Sequence, residues 1–175
     1  LKYGRNTAYI YLYPKDKLSL VFDAKNFETS MVFKGQGSER NNYLVKKSII
    51  EAELTEDLEA FYKVDESTYL KNIDDVKMTH LALLSKYNVE PFFTSAETKS
   101  LEYERLLSIQ NFKTSYKFYL GDDISPSDDF YKPLEVIDET EVSDYKEQPY
   151  FRYLVNSAWN KRIEAASDVD GMLKV

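Results

Sequence analysis

Apolar and polar positions alternate near the start of the chain and then change to a helical spacing. The alternation covers residues 7–13 and 18–23, and a third short apolar run lies at 30–34. Period-two alternation rich in aromatic and β-branched residues is typical of strands. Tight connections at 14–17 and 25–26 predict that the three strands form an antiparallel β-meander. Because three strands leave an exposed edge, we expect further strands upstream or a covering helix.

Beyond Gly37 the apolar positions recur at the spacing of helices. Ser38 is predicted to be the N-cap of a helix of roughly six or seven turns. A second helix is predicted to begin at 65–67, a third at Pro91 and a last one at Pro149. Proline suits the first position of a helix because its missing N–H has no intrahelical partner there.

The predicted fold class is α+β: a short antiparallel β-meander, part of a truncated β-sandwich, followed by a mainly helical body. The predicted organisation is a β-strand region at 1–37, a helical region at 38–165 and a linker or tail at 166–175. Since the chain opens with Leu1 and not with methionine, we expect one structural unit cut from a longer protein.

Composition narrows the choice of partners. The 175 residues contain 23 Lys and Arg against 30 Asp and Glu, which gives a net charge of −7. This charge repels nucleic acid, and no dense basic stripe offsets it. The sequence also lacks an apolar run of the ~18–20 residues that a transmembrane helix needs. The 15 tyrosines are interpreted mainly as packing residues, because each combines apolar area with a polar tip.

The sequence contains no cysteine. Disulfides, thiolate catalysis, iron–sulfur clusters and cysteine-ligated zinc are therefore excluded within this chain. We predict no cofactor.

Residues 35–38, Gly-Gln-Gly-Ser, have the layout of a phosphate-binding loop between a strand and a helix. A dinucleotide fingerprint needs a small residue where Arg40 stands, and a P-loop needs a lysine before its serine or threonine. Neither requirement is met. We interpret the glycines as a strand-to-helix corner in which Ser38 caps the helix.

His80 is the only histidine. A general base would need an orienting carboxylate and a metal ligand would need partners, but Asp74 and Asp75 do not share its helix face. Packing on the helix or plain solvation is the favoured interpretation.

Acidic residues cluster in the loop 122–129, where a cation such as calcium is conceivable. The loop has no internal glycine, and Pro126 stiffens its centre. Asp168 to Gly171 matches only the middle of a calcium loop. Both segments are interpreted as solvated acids, and Asp128 with Asp129 is predicted to cap a short helix over 130–137.

Tyr9, Tyr11 and Tyr13 share one face of the first predicted strand, where they either pack or stack on a sugar or peptide; packing is favoured. A serine triad has no nucleophile elbow here. Paired glycosidase carboxylates stay open, because their separation is a three-dimensional property. We predict no catalytic, cofactor-binding or metal-binding residue.

Two segments resemble one known family. The first segment, 11–44, contains a predicted strand that ends at a proline turn, followed by the runs Lys-Leu-Ser-Leu-Val-Phe-Asp, Phe-Lys-Gly-Gln-Gly and Asn-Asn-Tyr-Leu. The second segment is 127–159. Both are similar to the N-terminal accessory region of Bacteroidetes TlpA-like proteins, which are thioredoxin-like (AhpC/TSA). The similarity is collinear over most of 7–160.

The resemblance implies a β-sandwich-like part and helices that precede a thioredoxin domain with a Cys-x-x-Cys pair. That domain has no counterpart here, since the chain lacks cysteine and only a short segment follows Trp159. We therefore expect a noncatalytic accessory domain of an envelope thioredoxin-like disulfide oxidoreductase, periplasmic or anchored to the outer membrane. Its expected partners are proteins or a downstream thioredoxin domain. The alternatives are a stand-alone peptide- or glycan-binding module of the envelope and, last, a hydrolase with paired carboxylates.

Overall fold

A computed structural model describes residues 1–8, 10–27 and 29–165. The described residues form two compact units: the first lies within 1–58 and 78–95, and the second lies within 59–77 and 96–165. The predicted linker or tail at 166–175 lies outside the described residues.

All the described strands belong to the first unit. Strands β1 (Lys2–Tyr3) and β2 (Asn6–Thr7) form a minimal antiparallel hairpin. Strands β3 (Lys17–Val21) and β4 (Val32–Gln36) form a second antiparallel pair. The strands predicted at 18–23 and 30–34 are thereby confirmed, each with a shift of one or two residues.

Described residues 10–13 belong to no strand, which differs from the predicted first strand of the meander. The physical reason is that the backbone of Tyr11 is already paired. Its N–H donates to the Asn41 side chain, and its carbonyl accepts from the same side chain. A side-chain amide thus takes the place of a neighbouring strand.

Seven α-helices follow within the described residues: α1 (Ser38–Leu54), α2 (Leu58–Tyr62), α3 (Glu66–Leu84), α4 (Pro91–Leu120), α5 (Asp128–Tyr131), α6 (Val142–Glu147) and α7 (Pro149–Ala165). A 3-10 helix at Lys132–Val136 continues α5. The α+β class, a short antiparallel sheet with a mainly helical body, is confirmed. The helix starts predicted at Pro91 and Pro149 are also confirmed.

Two helix boundaries differ from the prediction. The first helix ends at Leu54 and is shorter than predicted. Its C-cap Thr55 has φ of −114° and ψ of 21°, outside the helical region, and donates its hydroxyl to the Glu51 carbonyl at 2.8 Å. At the other boundary, Ser127 and not an aspartate is the N-cap of α5, and its hydroxyl accepts from the Phe130 N–H at 3.3 Å.

Each unit has its own hydrophobic core. The core of the first unit contains Tyr43, Leu83, Leu84 and Phe93. The larger core of the second unit is formed by Tyr69, Ile73, Leu106, Ile109, Phe112, Phe130 and Leu154. Tyr43 and Tyr69 are completely buried, which confirms for them the packing interpretation of the tyrosines. No helix among the described residues has the length and apolar character that crossing a membrane requires.

Candidate functional site: an arginine between two carboxylates and three aromatic rings

Gly37 forms the turn that connects β4 to α1, and Gly35 lies two residues earlier near the end of β4. Gly35 has φ of 99° and Gly37 has φ of 90°, both in the left-handed region. A Cβ atom on Gly35 would lie 2.1 Å from the Lys17 carbonyl oxygen, so only glycine fits there. The corner interpretation of this segment is confirmed. The prediction for Ser38 is wrong by one residue, because Gly37 is the N-cap and makes no side-chain capping bond.

This turn directs the Arg40 side chain into the first unit, where it is 1% exposed. Its Nη2 donates to both carboxylate oxygens of Asp16, at 2.5 and 2.6 Å. Its Nη1 donates to Glu90, in the segment before α4. A Cβ on Gly37 would lie 2.5 Å from the Asp16 Oδ1, which explains the second glycine. The residue that rules out a nucleotide fingerprint is thus the centre of a salt-bridge cluster.

Three aromatic rings cover the Arg40 guanidinium. Its Cζ lies 5.6 Å from the ring centroid of Tyr11, 6.0 Å from that of Tyr13 and 5.8 Å from that of Phe92. Distances of about 6 Å or less allow cation–π attraction. The rings of Tyr13 and Phe92 also stack on each other, with centroids 4.5 Å apart.

The electrostatics of the cluster favour the fully ionised state. The Arg40 guanidinium, as hydrogen-bond donor, lowers the pKa of both Asp16 and Glu90. Burial opposes the charge of Arg40, but its hydrogen bonds to the two carboxylates outweigh burial and raise its pKa. None of the three groups is therefore suited to exchange a proton near neutral pH. The cluster has a structural role, because the guanidinium is already bound by two carboxylates of the protein itself.

The side chains of the two asparagines after Arg40 add hydrogen bonds to the backbone of other segments. Asn41 accepts from the Tyr11 N–H at 2.8 Å and donates to the Tyr11 carbonyl at 2.9 Å. Asn42 does the same with Phe33 of β4, at 2.8 and 2.9 Å. Three consecutive side chains in the first turn of α1 therefore fix three separate segments of the first unit. The partners of Asn41 and Asn42 lie 30 and 9 residues away in the sequence, so the local pattern contains no signal for these hydrogen bonds.

Two of the three rings over the cluster reach the surface: Tyr13 is 48% exposed and Phe92 is 39% exposed. We call these two residues the aromatic platform. Exposed apolar side chains that occur singly are common, but a stacked pair fixed over a buried ion cluster is a rigid surface. The platform is the best candidate for a functional site in the first unit.

The second unit contains another buried carboxylate, Asp144 of α6. It accepts from the Lys99 Nζ at 2.8 Å and from the Tyr103 hydroxyl. Burial raises the pKa of Asp144, but the hydrogen bonds from Lys99 and Tyr103 outweigh it and leave the pKa lowered. Burial and the hydrogen bond to Asp144 raise the pKa of Tyr103. A neutral phenol and an ionised acid in this arrangement suit the anchoring of α6 to α4 and not proton abstraction.

His80 lies on α3 and is 1% exposed. Of the two interpretations that we favoured for it, packing on the helix agrees with this burial and plain solvation does not.

Two residues of the acidic loop, Asp123 and Ser127, hydrogen-bond to side chains outside it. Asp123 accepts from the Lys117 Nζ at 2.9 Å, and this hydrogen bond lowers the pKa of Asp123. Ser127 donates its N–H and its hydroxyl to Glu66 at 2.8 and 2.6 Å. Within the described part of the chain, no group of three or more His, Cys, Asp or Glu side chains is placed to hold a metal ion. Asp168 and Gly171 lie outside the described residues.

Two of the three tyrosines that are predicted to share one strand face, Tyr11 and Tyr13, lie among the described residues. Tyr9 lies outside the described residues. Tyr11 packs edge-on against Phe93, with ring centroids 5.2 Å apart, whereas Tyr13 belongs to the exposed platform. The two described tyrosines therefore play different roles: one packs against the core, and the other is presented to solvent.

Comparison with known proteins adds no relative. No protein-family model, no curated protein and no solved structure matches this chain.

Proposed function

We propose that this chain is a noncatalytic accessory domain of a thioredoxin-like disulfide oxidoreductase of the cell envelope, and that it positions a protein partner or substrate for the redox domain. The collinear resemblance at 11–44 and 127–159 supports the proposal. So does the absence of cysteine, because thiol–disulfide exchange requires a thiolate.

The observation that carries the positioning role is the aromatic platform. Tyr and Phe are enriched at the centres of protein interfaces, and a few such side chains account for most of the binding free energy. Tyr13 and Phe92 are already stacked at 4.5 Å. Because their rings are held in place before binding, little side-chain entropy is lost when a partner covers them.

The polar clusters support the noncatalytic part of the proposal. Arg40 is bound by Asp16 and Glu90, and Asp144 is bound by Lys99 and Tyr103. A catalytic acid or base needs a pKa near the working pH, and the lowered pKa values of the three acids move them away from it. A stand-alone peptide-binding module would use the same platform. The experiments below distinguish this alternative from the proposed accessory domain.

The first experiment is an insulin-reduction assay with dithiothreitol as the reductant. The chain alone is expected to leave the rate of insulin precipitation at the buffer value, because it supplies no thiolate. The protein encoded by the complete reading frame is expected to accelerate it. Serine variants of the expected Cys-x-x-Cys pair serve as the control and should return the rate to the buffer value.

Turnover by the chain alone would contradict the noncatalytic assignment. A complete reading frame without any Cys-x-x-Cys pair would leave the stand-alone binding module as the better account.

A further inference from the structure

The sheet formed by β3 and β4 has two outer edges, and the edge of β4 is bound by α1. In an antiparallel pair, successive residues direct their N–H and carbonyl groups alternately towards the partner strand and away from it. Phe33 of β4 directs both groups away from β3, because both are bound by the Asn42 side chain of α1, at 2.8 and 2.9 Å. This side chain therefore occupies the outer edge of β4 at Phe33.

The outer edge of β3 has no such cover. Leu20 lies opposite Phe33 in the register, and Leu18 lies opposite Gly35. Because Phe33 directs its backbone groups away from β3, both leucines direct theirs away from β4. These groups have no hydrogen-bond partner among the described residues, and β3 has no second neighbouring strand there. An edge of this kind can accept a further strand.

The two faces of β3 differ in their chemistry. Leu18 and Leu20 are half-buried on one face, whereas Lys17 and Ser19 are exposed on the other. Lys34 of β4 is exposed opposite Ser19, and neither β3 nor β4 contains an acidic residue. Neither lysine forms an ion pair among the described residues. The exposed face of the sheet is therefore positively charged, although the chain has a net charge of −7.

We propose that the outer edge of β3 binds an extended acidic segment of a partner protein, which joins the sheet as a third strand. The segment pairs its backbone with Leu18 and Leu20. Its apolar side chains lie beside the two leucines, and its acidic side chains lie on the face of Lys17 and Lys34. A second copy of this chain fits less well, because its own lysines would join the same face of the sheet. The proposal does not depend on the aromatic platform or on the redox role.

The probe is a short peptide in which glutamate alternates with valine, and its control has lysine in place of each glutamate. Each peptide is titrated into the chain, and hydrogen exchange is followed at single amides by NMR. The acidic peptide is expected to slow exchange at Leu18 and Leu20 but not at Ser19, whose N–H already faces β4. It should bind about tenfold more tightly than the lysine peptide, because opposite charges on neighbouring strands attract and like charges repel.

Charge reversal identifies the site. The double variant Lys17→Glu and Lys34→Glu should invert the preference, so that the lysine peptide binds more tightly. Both positions are exposed, so the variant should keep the native stability. The matched control, Lys86→Glu with Lys113→Glu, changes two exposed lysines outside the sheet and should leave the preference as it is.

A modified peptide tests the backbone pairing separately from the charges. Methylation of alternate amides removes the donors of the acidic peptide to the β3 edge and keeps every glutamate. This peptide should lose binding, because strand addition depends on hydrogen bonds of the main chain.

Equal affinity for the acidic and lysine peptides would overturn the proposal. The same conclusion would follow if no saturable binding occurred, or if the bound peptide left exchange at Leu18 and Leu20 unchanged. Protection of these two amides that grows with the concentration of the chain alone, together with a dimer in sedimentation, would assign the edge to a second copy and overturn the acidic partner.

Discussion

Replacing Arg40 with methionine is expected to lower the free energy of unfolding by roughly 3 kcal/mol, the order of magnitude for breaking a buried ion pair. The Arg40 side chain is 1% exposed, and Asp16 beside it is 8% exposed. Methionine fills part of the volume but supplies no donor. Asp16 would therefore keep its charge without its cation, and the three aromatic rings would lose the group that they cover.

Chemical denaturation followed by circular dichroism measures this loss. Arg5→Met is the matched control, since Arg5 is exposed and its replacement should change stability by less than about 0.5 kcal/mol. Arg40→Lys is expected to recover only part of the loss, because an ammonium group lacks the planar fork whose Nη2 binds Asp16 while its Nη1 binds Glu90. A loss below about 1 kcal/mol for Arg40→Met would mean that the cluster behaves like an ordinary surface salt bridge.

The same variant changes the dependence of stability on pH. Arg40 lowers the pKa of Asp16 and Glu90 in the folded protein. Their contribution is therefore complete above the ordinary carboxylate pKa and is lost as the pH falls through the lowered values. Without Arg40 both pKa values return towards normal. The stability difference between native protein and variant should consequently shrink in acid.

Asn41→Asp is the second substitution with a large expected effect. The Asn41 Nδ2 donates to the Tyr11 carbonyl at 2.9 Å and to the Gly37 carbonyl at 3.2 Å. A carboxylate would instead place an acceptor oxygen against these two acceptors, in a side chain that is 2% exposed. The free energy of unfolding should fall by roughly 2–3 kcal/mol near neutral pH.

The sign of the pH effect identifies the cause. The folded state would resist ionisation of the new acid, so its pKa would lie above the ordinary value of about 3.9. A protonated acid can donate to one carbonyl, so the penalty should decrease as the pH falls below that raised pKa and grow as the pH rises through it.

Asn88→Asp serves as the charge-matched control for this variant, because Asn88 is exposed in the same unit. A penalty for Asn41→Asp that does not vary with pH would contradict the proposed hydrogen-bond geometry.

The sequence predicted those features that depend on neighbouring residues. The helix starts at Pro91 and Pro149, the turn at Gly37 and the strand pair are all set by local propensity and spacing. The assignment of the N-cap to Ser38 failed because Gly37 reaches the left-handed conformation that serine rarely adopts. The boundary therefore moved by one residue.

The cluster around Arg40 could not be predicted, because its members are far apart in the sequence. Asp16 precedes Arg40 by 24 residues, and Glu90 follows it by 50. The aromatic platform could not be predicted either, because Phe92 and Tyr13, whose rings stack, are far apart in the sequence. The only local signal was a bulky charged residue at the position where a phosphate loop needs a small one. That signal excluded one function without revealing the actual role of Arg40.

The central claim is that the aromatic platform holds a protein partner or substrate for a redox domain. Steady-state kinetics of the protein from the complete reading frame test it most directly, with Tyr13 and Phe92 both replaced by serine. The backbone N–H of Tyr13, which donates to the Asp16 carboxylate at 2.8 Å, is retained in this variant. The matched control replaces Val136 and Tyr153, which are 73% and 62% exposed in the second unit.

For a disulfide-bonded protein substrate, the platform variant should raise KM about tenfold or more, the effect of losing a typical interface hot spot. Its kcat should be unchanged, as should its activity towards a small disulfide, because the proposal assigns the redox chemistry to a different domain. An unchanged KM, or an equal increase in the Val136 and Tyr153 control, would contradict the claim.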